Sequence, residues 1–161
     1  MANTYSQLFI HLIFAVKYRD AVLDKSWRDE LIQYIIGIIE KRNNKVCAIG
    51  GMEDHIHILI SLSPEQSLSE LVRDVKRAST LWIEKKGFVR SRFAWQNGFG
   101  AFSYAKSQLH TVANYVQNQE NHHKKISFHN EYTRFLELFD VDFDDRYTFQ
   151  PLSPSDNKGN P

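Results

Sequence analysis

"MEDHIHILISL", residues 52–62, decides how the chain folds. Two histidines stand two apart in an otherwise apolar run. In a strand, successive side chains point to opposite faces. Ile56, Ile58, Ile60 and Leu62 then share one face, and His55, His57, Leu59 and Ser61 share the other. The histidines therefore do not interrupt an apolar layer; they stand side by side on the reverse of it. Immediately upstream, "KVCAIGGM" (45–52) reads as a second strand, and Glu53 and Asp54 make a tight hairpin turn between the two. Pro64 ends the histidine strand.

Working outward, "YSQLFIHLIFAVKY" (5–18) is rich in β-branched and aromatic residues and reads as a strand. Residues 24–44 carry Leu31, Ile35, Ile38 and Ile39 at helical spacing, with Asp24 or Ser26 as cap. Residues 67–86 form a second helix, with Ser67 as cap, Glu70 three residues on, and Leu68, Leu71, Val72, Val75 and Ser79 facing inward. "FAWQNGFGAFSYAKS" (93–107) mixes aromatics with glycines and predicts a bent strand; helices follow over 107–125 and 131–139. The order β-α-β-β-α-β predicts an α+β fold, the ferredoxin-like split β-α-β, with an antiparallel sheet and its helices packed on one face. Residues 1–150 are expected to form one domain. "PLSPSDNKGNP" (151–161) reads as a disordered tail.

The chain has 161 residues, 42% hydrophobic and 24% charged, the balance of an ordinary globular domain. No apolar run is long enough to span a bilayer. The N-terminal segment reads as a strand and not a signal peptide. The single Cys47 cannot form an internal disulfide, so a reducing cytoplasm is the expected location. The net charge of +1 hides an asymmetry: Arg73, Lys76, Arg77, Lys85, Lys86, Arg90 and Arg92 crowd one segment. Such a segment fits either phosphate contact or a solvated helix face.

Neighbouring histidines on one strand face can jointly ligate a metal, and they are also ordinary sheet-face residues. A four-ligand structural zinc site does not fit a chain with one cysteine. The helix 107–125 offers Tyr115 and Gln119, four apart and so on one face, with His122 and His123 a turn beyond. Tyr115 reads as a core aromatic or as a nucleophile. Gln119 reads as solvent-exposed or as a third metal ligand. A phenol attacks phosphorus well only where the phosphate is polarised and the leaving oxygen stabilised, as a divalent cation does.

Five stretches in order are "HLIFAVKYRD", "GGMEDHIHILISLSP", "SLSELVRDVKRAST", "FAWQNGFGAFSYAKS" and "VANYVQNQENHHKKISFHNEY". With Tyr115 in a Y-x-x-x-Q-x-x-H-H context, the chain resembles the single-tyrosine HUH transposases of bacterial insertion sequences. That class includes relatives associated with repetitive extragenic palindromes (REP). HUH is His-hydrophobe-His, here His55-Ile56-His57.

The resemblance implies a ferredoxin-like fold with the paired histidines on the exposed face of the sheet, and a homodimer formed by joining sheets. It implies Mg²⁺ or Mn²⁺ held by His55, His57 and Gln119, and Tyr115 as nucleophile on single-stranded DNA with a subterminal hairpin. A 5′-phosphotyrosine link and a free 3′-OH result, and a second 3′-OH rejoins the DNA. Because the tyrosine helix can place its side chain beside the other subunit's histidines, composite sites are expected. The basic helix 67–86 and residues 17–19 are candidate phosphate contacts. Phe99 and Phe102 are candidates for base stacking or for the core. Competing readings are a REP-associated nuclease acting on palindromic DNA without mobility, a DNA-binding module with a structural metal, and a hydrolase using water.

Overall fold

The computed structural model describes residues 4–18 and 22–142; the tail expected to be disordered lies outside them. Four strands, β1 (Phe9–Ala15), β2 (Lys45–Gly51), β3 (His55–Ser61) and β4 (Gly100–Tyr104), form one antiparallel sheet in the order β2-β3-β1-β4. Helix α1 (Lys25–Lys41) joins β1 to β2, and α2 (Leu68–Lys86) joins β3 to β4. This is the split β-α-β plan expected from the sequence. A bulge at Cys47 separates Val46 from Ala48 in the β2–β3 register, and a lone bridge, Val16 to Trp95, extends the sheet past β1.

The caps are those read from the sequence. The Asp24 side chain accepts from the Ser26 N–H at α1, and Ser67 accepts from the Glu70 N–H at α2. Gly87 ends α2 in the left-handed region at φ 70°, where a side chain would be strained. Alternation along β3 places Ile56, Ile58 and Ile60 against Leu31, Ile35 and Ile39 of α1 and Leu71, Val72 and Val75 of α2, all of them fully or almost fully buried. Ser79, a polar residue on that inner face, is satisfied by accepting from the Trp95 indole at 3.0 Å and donating to the Lys76 carbonyl.

The opposite face departs from expectation. It was predicted to be open, yet His55 and His57 are 0% exposed. Three C-terminal helices, α3 (Leu109–Gln117), α4 (Gln119–His122) and α5 (Phe128–Leu138), lie past β4 and contribute the side chains that cover it. Val112 and Val116 of α3 close on Ala48 and Leu59. Phe128, Tyr132 and Leu136 of α5 join the main core. The helix predicted over 107–125 is instead a 3₁₀ turn, α3, and the single turn α4, broken at Asn118 (φ −100°, ψ 30°). Phe102, a candidate for base stacking, is buried among Phe135 and Phe139 and belongs to the core.

Gly50 explains how closely α3 approaches. It pairs with His57 across the β2–β3 ladder, and a Cβ there would collide with the Val116 carbonyl. Gly50→Ala is expected to lower stability by about 1–3 kcal/mol, the usual cost of overpacking against an unyielding backbone. A thermal melt checks this; an unchanged Tm would show that α3 is free to shift outward.

Candidate metal and nucleophile site

The covered face brings His55, His57, Tyr115 and Gln119, the four predicted site residues, into one cluster. Strand β3 supplies the histidines one pleat repeat apart, with ring centroids 5.0 Å from each other. The break at Asn118 lets the Gln119 amide turn back: its Nε2 donates to the Tyr115 carbonyl at 3.0 Å, and its Oε1 lies 3.2 Å from His55 Nε2. Gln119 is 1% exposed, so its reading as a solvent residue is excluded. Arg28 of α1, itself buried, holds α4 in place through Glu120 at 3.0 Å.

Four residues to which sequence reasoning gave no role complete the cluster: Glu131, His122, His123 and His11. Glu131, on α5, is 2% exposed and reaches both predicted halves of the site. Its Oε1 lies 2.9 Å from His57 Nε2 and 3.7 Å from His55 Nε2. Its Oε2 accepts the Tyr115 hydroxyl and sits 2.9 Å from His122 Nε2 and 3.2 Å from His123 Nε2. His123 also touches Gln119 Oε1 at 3.0 Å. His11, on β1, places its Nε2 2.7 Å from His57 Nδ1. The signal for His11 was available: it interrupts the apolar strand "FIHLIFA" in the same way that His57 interrupts its own. Glu131 had no comparable signal, because a carboxylate at the start of a helix usually faces water.

The cluster suits a divalent cation. Each of three rings has its Nδ1 engaged: His55 with Asp54 Oδ1 at 2.7 Å, His123 with the Ile126 carbonyl at 2.9 Å, and His57 with His11. That leaves three Nε2 atoms to converge, the tautomer arrangement that presents imidazole to a metal. One ligand atom from each of His55, His57, His123 and Glu131 lies within 4.8 Å of the others. Neutral nitrogen and carboxylate oxygen together fit a cation of intermediate hardness.

Electrostatics support the same picture. Burial, chiefly, pushes His57 down to about 4, against hydrogen bonding to Glu131, so the ring is neutral at neutral pH. Burial works to raise the Glu131 carboxyl, but hydrogen bonds from His123 and His57 outweigh it and hold the group far below the usual carboxylate range. The Tyr115 phenol is pushed well above its ordinary value, by burial first and by Glu131 second. It is therefore a phenol and not a phenolate before reaction.

These directions fix an acid response for the metal-free protein. His11 and His57 fall from 6.5 to about 3 and about 4. Between 6.5 and those values the unfolded chain binds protons that the folded chain refuses, so stability falls as pH falls. The lowered Glu131 acts with the same sign below its unfolded value of 4.5. His123, raised, opposes them: its contribution is full below 6.5 and fades as pH rises through its folded value. The two deeply shifted histidines dominate. Denaturant midpoints measured in EDTA should decrease steadily from pH 6.5 to 4, and a midpoint that rises over that window would contradict the assignment.

Tyr115 sits beside the histidines of its own chain, its ring 5.9 Å from that of His57. Within this one chain every group of the cluster comes from the same subunit; the expected composite site, with the tyrosine beside the other subunit's histidines, is an arrangement of two chains and belongs with the proposed homodimer.

Known proteins resemble the chain in sequence and in fold. A family model described as "Transposase IS200 like" matches residues 4–119. The ISDra2 transposase TnpA of Deinococcus radiodurans is 37% identical over 120 residues, covering 71% of this chain and 86% of that protein. The transposase for insertion sequence element IS200 of Salmonella typhimurium is 24% identical over 124 residues, covering 74% and 81%. In fold, the chain is similar to the structure of a REP-associated tyrosine transposase bound to a REP hairpin. The TM-score is 0.59 at 17% identity, covering 89% of this chain and 91% of that one. A His-hydrophobe-His strand, a single tyrosine beside it and a matching family model over most of the chain converge, and the chain belongs to the IS200-like single-tyrosine HUH transposases.

Proposed function

We propose that the protein cleaves and rejoins single-stranded DNA through a covalent link between Tyr115 and a 5′-phosphate. One observation carries the reading: the Tyr115 hydroxyl and the His57 Nε2 meet on the two oxygens of one buried carboxylate, Glu131. Nucleophile and metal-type ligands are thereby held at one point.

In this reading His55, His57 and Gln119, with Glu131 and His123 beside them, hold Mg²⁺ or Mn²⁺. When bound, the cation supplies polarisation of the scissile phosphate and stabilisation of the leaving oxygen. The chain's own residues do the rest. Glu131 orients the phenol, and the proton leaves along that hydrogen bond as the phenolic oxygen attacks phosphorus. The O–P bond to Tyr115 forms, the bond to the 3′-oxygen breaks, and that oxygen departs as a 3′-OH after protonation from water. The reverse step, with a second 3′-OH as attacking group, restores the phenol and rejoins the DNA. The phosphotyrosine link conserves the bond energy, so no nucleotide cofactor is required.

The DNA partner we propose is a hairpin near the cleavage site. A groove of about 800 Å³ between α2 and residues 92–99 carries Arg73, Lys76, Arg77 and Arg92, charges suited to a phosphate backbone. Phe99 lines it, half-buried against the core, with its remaining surface the candidate for stacking. Assembly as a homodimer in the cytoplasm is part of the same proposal. The second reading, a REP-associated nuclease that cuts palindromic DNA without moving an element, uses the same residues. The breadth of the likeness to the hairpin-bound structure, 89% of this chain, supports it.

The experiment is a cleavage assay on labelled oligonucleotides carrying a hairpin with single-stranded flanks. The single strand should be cut and the same sequence as a perfect duplex should not, because the half-buried phenol lies among packed helices and meets a phosphate most readily on a flexible strand. Equal cutting of both would overturn the reading.

A further inference from the structure

His57 differs from its two companions in one respect. His55 Nδ1 lies on a carboxylate and His123 Nδ1 on a backbone carbonyl, both fixed acceptors. His57 Nδ1 lies on another histidine, His11 Nε2, at 2.7 Å. An imidazole nitrogen is an acceptor only in one of its two neutral tautomers. The two rings are stacked, with centroids 5.0 Å apart and planes 27° apart, and both are 0% exposed. Around His11 stand Phe102, Tyr104, Tyr115 and Phe135. Its own Nδ1 is buried with no hydrogen-bond partner among the described residues.

We propose that His11 is a positioning residue that sets the tautomer of His57 and so frees His57 Nε2 for the divalent cation. The inference rests on the metal reading given above. Two proton arrangements are open to the neutral pair. In the first, His11 Nε2–H donates to His57 Nδ1, and His57 Nε2–H donates to Glu131. Every proton is then satisfied, and the unpartnered His11 Nδ1 is a bare lone pair. In the second, His57 Nδ1–H donates to His11 Nε2, the His11 proton moves to its Nδ1, and His57 Nε2 carries a free lone pair. Only the second can ligate a metal, and it is possible only because His11 accepts. The change moves one proton within each ring and releases none.

The apolar wall around His11 gives this role its force. Among the described residues no carboxylate or carbonyl is hydrogen-bonded to His57 Nδ1 in place of His11. An apolar side chain at position 11 would leave the N–H of the metal ligand itself without an acceptor; His11 passes the unpartnered N–H one ring further, to its own Nδ1, and keeps the hydrogen bond that orients His57 and raises its basicity as a ligand.

The test compares His11→Met with His11→Gln, similar in volume and differing in whether an oxygen can stand where Nε2 stood. Mn²⁺ binding is read by electron paramagnetic resonance without DNA, with His57→Ala as control. Loss of the acceptor should weaken Mn²⁺ binding by about 10–100-fold in His11→Met, and His11→Gln should restore most of it. Wild-type affinity in a folded His11→Met protein, or equal losses in both variants, would overturn the proposal. Should His11→Met not fold, histidine ¹⁵N spectra of the unsubstituted protein decide. Added Mg²⁺ should move the protons of His57 and His11 onto their Nδ1 atoms, and a His57 Nδ1 that stays unprotonated with metal bound overturns it. Failure of the metal reading looks different: the wild type itself, or His57→Ala alongside it, shows no specific binding, and the His11 role falls with it.

Discussion

Tyr115→Phe is expected to abolish covalent attachment to DNA and to reduce cleavage by at least about 10³-fold, since it removes the nucleophilic oxygen and keeps the ring. The fold should survive. The ring still packs against His57, His122 and Phe135. Glu131 Oε2 keeps His122 and His123 as partners, so the lost hydrogen bond costs only about 1 kcal/mol. A denaturing gel reads the adduct and circular dichroism reads the fold. A folded Phe variant that forms the adduct at the wild-type rate would remove Tyr115 from the mechanism.

The second large effect concerns the cation. EDTA should lower cleavage by about 10³-fold or more and leave the fold in place, because the cluster is satisfied internally by Glu131, Asp54, His11 and Gln119. His57→Ala should match EDTA in activity and differ from it in stability. His57 is fully buried between His11 and Glu131. Its removal opens a cavity and strips Glu131 Oε1 of a donor, which together cost about 2–4 kcal/mol. Cleavage by the EDTA-treated protein and restoration by Mg²⁺ or Mn²⁺ therefore separate chemistry from folding where the substitution alone does not. Undiminished cleavage in EDTA would rule out a metal role for these histidines.

The residues that were legible in the sequence share one property: their placement follows from a local period. Alternation along β3 put His55 and His57 on one face, and the i, i+4 spacing put Tyr115 beside Gln119. Both relations hold in the structure even though the helix carrying the second pair breaks at Asn118. What the period does not carry is what lies across from a face. The open histidine face was an expectation from the family resemblance, and nothing in β3 itself says what packs on it. Helix α5 packs there, through Phe128, Tyr132 and Leu136, and brings Glu131 with it. A helix of eleven residues with an acidic group in its first turn ordinarily turns that group to water, where it meets the helix dipole. Only the tertiary arrangement shows that this carboxylate points inward. His11 is an intermediate case: alternation gives its face within β1, but only the strand register, which pairs it with Leu59, sets it beside His57.

The central claim is that Tyr115 becomes covalently bound to a DNA 5′-phosphate. The most direct measurement is mass spectrometry of the trapped adduct after nuclease and trypsin digestion. Cleavage after Lys106 and Lys124 yields a peptide, 107–124, in which Tyr115 is the one tyrosine. The account predicts that this peptide carries a nucleotide through a 5′-phosphate on the Tyr115 oxygen, and that the other DNA product ends in a 3′-OH. A nucleotide attached elsewhere, or cut DNA with a free 5′-phosphate and no modified peptide, would contradict it.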